Sequence, residues 1–206
     1  MRRDISAVRE LLAKKADVNA TGLDGTTALE LTMLDEEMNA AVVALLELCK
    51  QKKLTLATAE SCTGGLVAAV LSEIPGSSLV LDRGFVTYSN EAKQQMLGVT
   101  PATIDVYGAV STECADEMAK GALAHAQVDL AVSITGIAGP TGAVPGKPIG
   151  LVYFCAASRS GRTIAHDRKF GDIGRPKVRR ASVMQALAML YELAEKEEPR
   201  PPAGES

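Results

Sequence analysis

Apolar positions along the chain repeat with two periods, and segments of each kind alternate. Apolar residues three and four positions apart, the spacing of a helix with one buried face, occur over 38–50, 111–126 and 175–196. Near-continuous apolar runs, typical of strands buried on both faces, occur over 128–135 and 149–157. Shorter segments complete the pattern: we predict strands over 54–58, 84–89 and 162–170, and helices over 66–74 and 90–97.

This alternation predicts the fold class, an α/β protein built as a three-layer α/β/α sandwich. The strands at 128–135 and 149–157 are joined by a Gly- and Pro-rich loop rather than by a helix. A parallel pair needs a long crossover, so we expect a mixed sheet. The segment 162–170 alternates apolar and polar residues, which favours an edge strand or a strand with one exposed face.

The two ends of the chain differ from this pattern. The run AVRELLAKKADVNATGLDGTTALEL resembles one ankyrin repeat, with Glu30 where that repeat prefers His. A solenoid needs roughly three repeats to bury a core, so we predict a short helical extension over 1–37. The alternative is a relic interaction module. The main domain is then 38–196, and the polar, Pro-rich segment 197–206 is expected to be disordered.

Composition narrows the function classes. The formal net charge of the 206 residues is −3 and aromatic residues make up only 3%, a composition that disfavours a nucleic-acid partner. Apolar runs are too short for a membrane span, and no signal peptide is recognisable. Four cysteines without a CxxC pair favour a reducing, cytoplasmic compartment. With only two histidines, we expect no metal site and no Ser-His-Asp triad.

Three loops combine glycine with hydroxyl side chains, namely 61–65, 76–78 and 136–142. In an α/β sheet such loops gather at one end of the strands, where free N–H groups at a helix N-terminus can bind an anion. The loops match neither a Walker A sequence nor a GxGxxG fingerprint. The alternative is that they are only tight turns between strand and helix.

Four motifs in these regions identify a family. AESCTGG, PGSS, TYSNEAK and TGIAGPTG occur in this order, and the stretch 38–195 resembles the CinA C-terminal-domain family, also known as nicotinamide-nucleotide amidohydrolase. The resemblance implies hydrolysis of the carboxamide of nicotinamide mononucleotide to nicotinic acid mononucleotide and ammonia. It also implies that no cofactor is needed and that the protein forms a homo-oligomer, a dimer or higher.

The resemblance also implies a set of site residues. Ser78 would be the nucleophile, Lys93 its base and Tyr88 a proton relay. The implied substrate-binding residues are Ser61, Thr63, Gly64, Thr135, Gly136 and Arg175. Lys93 can accept a proton near neutral pH only if its pKa falls by several units, which requires burial. We expect the neighbouring Lys177, Arg179 and Arg180 to form an exposed basic face.

Two alternatives stay open from the sequence. Cys62 follows a strand and precedes a helix, a position that can lower a thiol pKa and make it the nucleophile instead. The whole chain can also be a non-catalytic module that senses a nucleotide or binds a partner through the ankyrin-like segment.

Overall fold

The structure, a computed structural model, describes residues 35–200. Apart from residues 35–37, the extension predicted over 1–37 lies outside the described residues. Within these residues there are six helices: α1 (Glu36–Lys52), α2 (Leu66–Ser72), α3 (Asn90–Leu97), α4 (Pro101–Tyr107), α5 (Thr112–Ala126) and α6 (Arg175–Lys196). The five strands are β1 (Leu56–Glu60), β2 (Leu81–Val86), β3 (Leu130–Gly136), β4 (Leu151–Ser158) and β5 (Thr163–Lys169), and a 3-10 turn covers Ser77–Leu79.

The five strands form one mixed sheet in the order β2-β1-β3-β4-β5. β1 pairs in parallel with both β2 and β3, whereas β3–β4 and β4–β5 are antiparallel. The predicted mixed sheet is therefore confirmed, with the antiparallel pair where no helix separates the strands. β5 is an edge strand with mostly exposed residues, as its alternating sequence predicts.

Helices cover both faces of the sheet, which gives the predicted three layers. α5 packs on β1, β3 and β4, while α6 packs on β3, β4 and β5 from the other face. Every residue of β1 is buried, and the core is aliphatic. No helix within residues 35–200 has the combination of length and apolarity that crossing a bilayer demands.

The helix α3 sits unusually close to α5. Gly121 of α5 is buried against the backbone of Leu97, the last residue of α3, and a Cβ atom at this position would overlap the Leu97 carbonyl group. The sequence predicts both helices, and Ser111 caps α5 by accepting a hydrogen bond from the Cys114 N–H.

The helix α4 was not predicted from the sequence, which reads as a loop in this region. Thr100 caps it by accepting a hydrogen bond from the Thr103 N–H, and Pro101 fits its first turn. Only Thr103 of this helix is buried. The helix therefore has local capping signals but no apolar stripe, and periodicity alone cannot detect it.

Of the segment predicted to be disordered, 197–206, residues 201–206 lie outside the described residues, and residues 197–200 make hydrogen bonds to the end of α1. Lys52, at the end of α1, donates hydrogen bonds from Nζ to the carbonyls of Ala194, Glu195 and Glu197 at 2.7–2.9 Å. The Arg200 N–H in turn bonds to the Lys52 carbonyl at 2.8 Å. A cation on the last carbonyls of a helix is favourable, so this contact fixes the end of α6.

Candidate active site

Three parallel strands end side by side at one edge of the sheet. Glu60, the last residue of β1, is in register with Val86 of β2 and Ile134 of β3. The pairing continues one residue further, because the Ser61 N–H bonds to the Ile134 carbonyl and the Thr87 N–H bonds to the Glu60 carbonyl. The loops that follow these strands therefore meet, as expected at the carboxyl ends of parallel strands.

Lys93 reaches this edge from α3. The cap of that helix, Ser89, accepts a hydrogen bond from the Ala92 N–H at 3.0 Å. The Lys93 side chain is only 1% exposed, which is rare for lysine. Its Nζ lies 3.0 Å from Ser61 Oγ, 2.8 Å from the Thr87 carbonyl and 3.4 Å from the Tyr88 carbonyl.

Every hydrogen-bond partner of this amine within residues 35–200 is neutral. Neutral acceptors replace the lost hydration of a buried ammonium less well than a carboxylate would, and burial therefore lowers the pKa of Lys93. The nearby thiols of Cys62 and Cys114 would oppose this shift only as thiolates. Burial raises their pKa values to about 12 and about 11, so both thiols are neutral near pH 7. Lys93 thus has the property that a general base requires.

Ser78, the predicted nucleophile, is not beside this base. It is exposed on the 3-10 turn Ser77–Leu79, which precedes β2. Leu56 starts β1, and its N–H bonds to the Val80 carbonyl, so this turn lies at the amino end of the strands. The six residues of β2, at about 3.3 Å each, separate that edge from the one where Lys93 lies. The hydroxyl that meets Lys93 is that of Ser61, which had been assigned only to the pocket lining.

Tyr88 lies at the pocket, but its hydroxyl does not touch the base. The side chain is 61% exposed and its hydroxyl accepts a hydrogen bond from Arg175 at 3.0 Å. Only the Tyr88 carbonyl approaches Lys93. This geometry fits a substrate-binding role better than the predicted proton relay.

Arg175 opens α6 and points into the same pocket. Its guanidinium also donates to the Gly139 carbonyl at 3.1 Å, so it joins Tyr88 to the glycine-rich loop. No acidic residue lies in the first turn of α6. A cation at a helix N-terminus opposes the helix dipole, which costs stability and favours a functional reason for this residue.

Together these residues border a pocket of about 300 Å³. Among the described residues, no Asp or Glu lines it, and the formal charges in the lining come from Arg175 and, when protonated, Lys93. Its lining residues are Ser61, Cys62, Tyr88, Asn90, Lys93, Ala109, Val110, Thr135, Gly136, Ile137, Ala138, Gly139, Thr141, Gly142 and Arg175. Asn90, one turn before Lys93, was not singled out from the sequence although it stands in the TYSNEAK motif.

Two further predicted residues line this pocket and two do not. The buried Thr135 hydroxyl bonds to the Ala109 carbonyl at 2.6 Å, and Gly136 leaves no room for a side chain, because a Cβ would lie 2.7 Å from Val152. Thr63 is fully buried behind the pocket, and its carbonyl accepts a hydrogen bond from Arg179. Gly64, the next residue, does not line the pocket either and adopts a φ of +62°.

Glu60 is a residue that the sequence reasoning missed. It is fully buried, and its carboxylate accepts hydrogen bonds from the N–H groups of Gly65, Val67 and Ala68 at 2.9–3.1 Å. These are the amides at the start of α2, so Glu60 caps that helix. Of the two alternatives left open for this loop, the tight turn fits these three amides, because a side chain rather than a ligand occupies them. The sequence feature that could have indicated its role is a single acidic residue at the end of an apolar strand.

Cys62 lies in the pocket wall but is a poor nucleophile. Its side chain is 5% exposed, and burial raises the pKa of its thiol to about 12. Since the thiolate is the reactive form, almost none is present near neutral pH. The fold and the site thus define an α/β protein with a serine–lysine pair at the carboxyl ends of its parallel strands.

Comparison with known proteins names the family. Residues 36–194 match the family described as the CinA C-terminal domain, and the chain belongs to this family. It is 47% identical over 167 residues to the nicotinamide-nucleotide amidohydrolase PncC of Escherichia coli strain K12. That match covers 81% of this chain and 96% of PncC.

Longer relatives carry the same domain. The chain is 46% identical over 156 residues to a putative competence-damage inducible protein of Caldanaerobacter subterraneus, of which it spans only 37%. Among solved structures, the competence/damage inducible protein CihA from Agrobacterium tumefaciens superposes with a TM-score of 0.77 at 46% identity. That match covers 78% of this chain and 97% of CihA.

Proposed function

We propose that this chain hydrolyses the carboxamide of nicotinamide mononucleotide, giving nicotinic acid mononucleotide and ammonia, with Ser61 as nucleophile and Lys93 as general base. The observation that carries the proposal is the 3.0 Å contact between Ser61 Oγ and a buried amine that has no acidic partner within residues 35–200. Similarity to PncC, a nicotinamide-nucleotide amidohydrolase, supports the choice of substrate.

The contacts of Lys93 suit its neutral form. A neutral amine has two N–H groups and one lone pair. The carbonyls of Thr87 and Tyr88 can accept the two N–H groups, which leaves the lone pair directed at the Ser61 hydroxyl. Lys93 then takes the Ser61 proton as Oγ attacks the carboxamide carbon, and the carbonyl oxygen becomes an oxyanion.

Collapse of this intermediate completes the first half of the reaction. The ammonium of Lys93 returns its proton to the leaving nitrogen, the C–N bond breaks, and ammonia departs from an ester on Ser61. Water, deprotonated by the same amine, then attacks the ester carbon and releases the carboxylic acid and the Ser61 hydroxyl. One amine thus serves as base and acid in both halves.

Backbone N–H groups of the loop at 135–140 can stabilise the oxyanion. The Ile137 N–H already bonds to the Leu151 carbonyl. The N–H groups of Ala138 and Gly139 have no acceptor within residues 35–200, and both residues line the pocket. A single donor to such an oxyanion contributes about 3–4 kcal/mol to the transition state. The amides near Ser77 and Ser78 lie at the opposite edge of the sheet, too far from Ser61 for this role.

Arg175 is expected to bind the phosphate of the substrate. Its guanidinium is a cation in a pocket without acids. We expect Arg175→Ala to raise KM for nicotinamide mononucleotide roughly 10–100-fold, the effect of one lost charged hydrogen bond. Steady-state kinetics should show a smaller change with nicotinamide riboside, which lacks the phosphate. Lys177→Ala, an exposed cation two residues away, is the matched control, and equal losses on both substrates would contradict this role.

Ammonia release tests the proposed function directly. We expect turnover of the mononucleotide, and slower turnover of the riboside and of free nicotinamide, in a coupled ammonia assay without added metal. Ser61→Ala protein purified in parallel exposes any contaminating amidase. Nucleotide binding by calorimetry with no ammonia from any of the three amides would instead support the non-catalytic sensing module.

The setting of this reaction is also proposed. The four cysteines are all buried and unpaired, which suits a reducing compartment, and we place the enzyme in the cytoplasm. The homo-oligomer that the family resemblance implies stays a prediction.

A further inference from the structure

The loop that carries Ser61 is bound from both faces of the sheet. Successive side chains of a strand point to opposite faces, so Glu60 reaches the α2–α6 side while Ser61 reaches Lys93 on the α3–α5 side. On the α2–α6 side, two charged groups bind the loop: the Glu60 carboxylate at its end and the Arg179 guanidinium at its middle.

Arg179 comes from α6, one turn after Arg175, so both arginines lie on one face of that helix. It donates from a terminal nitrogen to the Thr63 carbonyl at 2.7 Å. The same nitrogen lies 3.5 Å from where a Cβ of Gly64 would stand, and the buried Nε has no hydrogen-bond partner within residues 35–200. Arg179 is half-buried against the loop, so the exposed basic face predicted for 177–180 does not include it.

The loop itself is poorly constrained by its own backbone. Gly64 and Gly65 follow one another with φ values of +62° and +93°, and glycine moves between conformations at little cost. Inside the loop, one backbone hydrogen bond joins the Gly64 N–H to the Ser61 carbonyl at 3.1 Å. The position of Ser61 Oγ therefore depends on anchors outside the loop.

We propose that Arg179 is a positioning residue, which acts together with Glu60 to hold the Ser61 hydroxyl against Lys93. The proposal rests on Ser61 being the nucleophile of the proposed function. Arg179 touches neither the pocket nor the reacting atoms, so its loss should lower the reactivity of Ser61 and leave substrate affinity largely intact. For Arg175, one turn earlier, we expect the opposite, because its loss should mainly raise KM.

The test compares Arg179→Ala with Lys177→Ala, an exposed cation on the same helix. Three quantities are measured for each: kcat and KM for nicotinamide mononucleotide, the melting temperature, and the rate at which a fluorophosphonate labels Ser61, followed by mass spectrometry. We expect Arg179→Ala to lower kcat and the labelling rate by roughly 10–100-fold, as small displacements of reacting groups do, with KM changed by less than about threefold. Lys177→Ala should match the wild type.

Two additions separate positioning from folding. Added guanidinium should restore part of the labelling rate in Arg179→Ala, because it can occupy the vacated space and donate to the Thr63 carbonyl. Glu60→Asp has a side chain one methylene shorter and, if it folds, should show the same pattern as Arg179→Ala. If it does not fold, Arg179→Ala alone decides whether Arg179 positions Ser61.

The outcomes are distinct. A wild-type labelling rate in folded Arg179→Ala overturns the proposal. A labelling rate that falls only in proportion to the unfolded fraction, and that added guanidinium does not restore, overturns it as well. A wild-type protein that is not labelled at Ser61 overturns it as well. Labelling at Ser61 without hydrolysis of any nicotinamide compound would reject the proposed function, while the comparison of labelling rates would still decide the role of Arg179.

Discussion

Replacing Ser61 with alanine is expected to lower kcat for ammonia release by roughly 10⁴-fold or more, the scale of losing a nucleophile in serine hydrolases. The pocket loses one oxygen atom and keeps Arg175, Tyr88 and the glycine-rich loop. Binding of nicotinamide mononucleotide should therefore persist, and calorimetry on the inactive protein checks this.

Ser78→Ala is the matched control for this experiment, because it removes the same atom from the serine that the family resemblance favours. Ser78 is exposed at the opposite edge of the sheet, so kcat should stay within about twofold of the wild type, as for most surface substitutions. If Ser78→Ala were inactive and Ser61→Ala active, Ser61 would lose its place as the nucleophile. Cys62→Ala should also remain active, since its thiol is protonated near neutral pH.

Replacing Lys93 with methionine is expected to abolish turnover and, at the same time, to stabilise the fold. Methionine has a similar length and shape but needs no hydration. The folded protein no longer has to hold a lysine whose pKa burial lowers. At pH 7 we expect the free energy of unfolding to rise by roughly 1–4 kcal/mol, the scale on which well-packed apolar residues improve on buried charged groups. Urea denaturation monitored by circular dichroism measures this gain, with exposed Lys177→Met as control.

The sign of the pH dependence follows from the same group. The pKa of Lys93 is lower in the folded protein than in the unfolded chain, so the unfolded chain binds more protons between the two values. Wild-type stability therefore rises with pH across that window, up to the ordinary lysine value of about 10.4. The advantage of Lys93→Met should shrink over the same range. A constant advantage at all pH values, or none at pH 7, would contradict a depressed pKa.

Catalysis should follow the same titration. Because the proposed mechanism needs the neutral amine, kcat/KM should rise with pH through the folded-state pKa of Lys93. The midpoint should lie below that of an ordinary lysine.

The central part of the fold can be predicted from the sequence because burial on both faces leaves a strong mark there. The strands β3 and β4 are continuous apolar runs, and they lie within two residues of their predicted bounds. The edge strand β2 was predicted over 84–89 but occupies Leu81–Val86. Its sequence, LDRGFV, is partly polar because most of the strand is exposed, so no apolar run marks its start.

The observed start of β2 shows where the PGSS turn lies. With β2 starting at 81, the PGSS turn directly precedes the strand and so lies at its amino end. Ser61 directly follows β1, at the carboxyl end of the neighbouring parallel strand. Ser61 is further from Lys93 in sequence than Ser78 is. Only the assembled sheet shows that Ser61, and not Ser78, lies at the same edge as Lys93.

The contacts that bury Lys93 and hold the loop at 61–65 were harder to predict than the identity of the residues in the pocket. Lys93 stands in a recognisable motif, but its burial comes from the packing of α3 onto the sheet and α5. The contact of Arg179 joins elements more than a hundred residues apart, and the amides that Glu60 binds become available only once α2 has formed. A periodic pattern reports which face of one element is apolar, and it carries no information on such pairings.

A methyl group at position 121 would overlap the Leu97 carbonyl, so this glycine sets how closely α3 approaches α5. Leu97 ends the helix that carries Lys93, and that helix has only eight residues. Pushing its last turn outward would move Lys93, four residues earlier, relative to Ser61. Under the proposed mechanism, a larger residue at this buried position would therefore slow turnover as well as destabilise the fold.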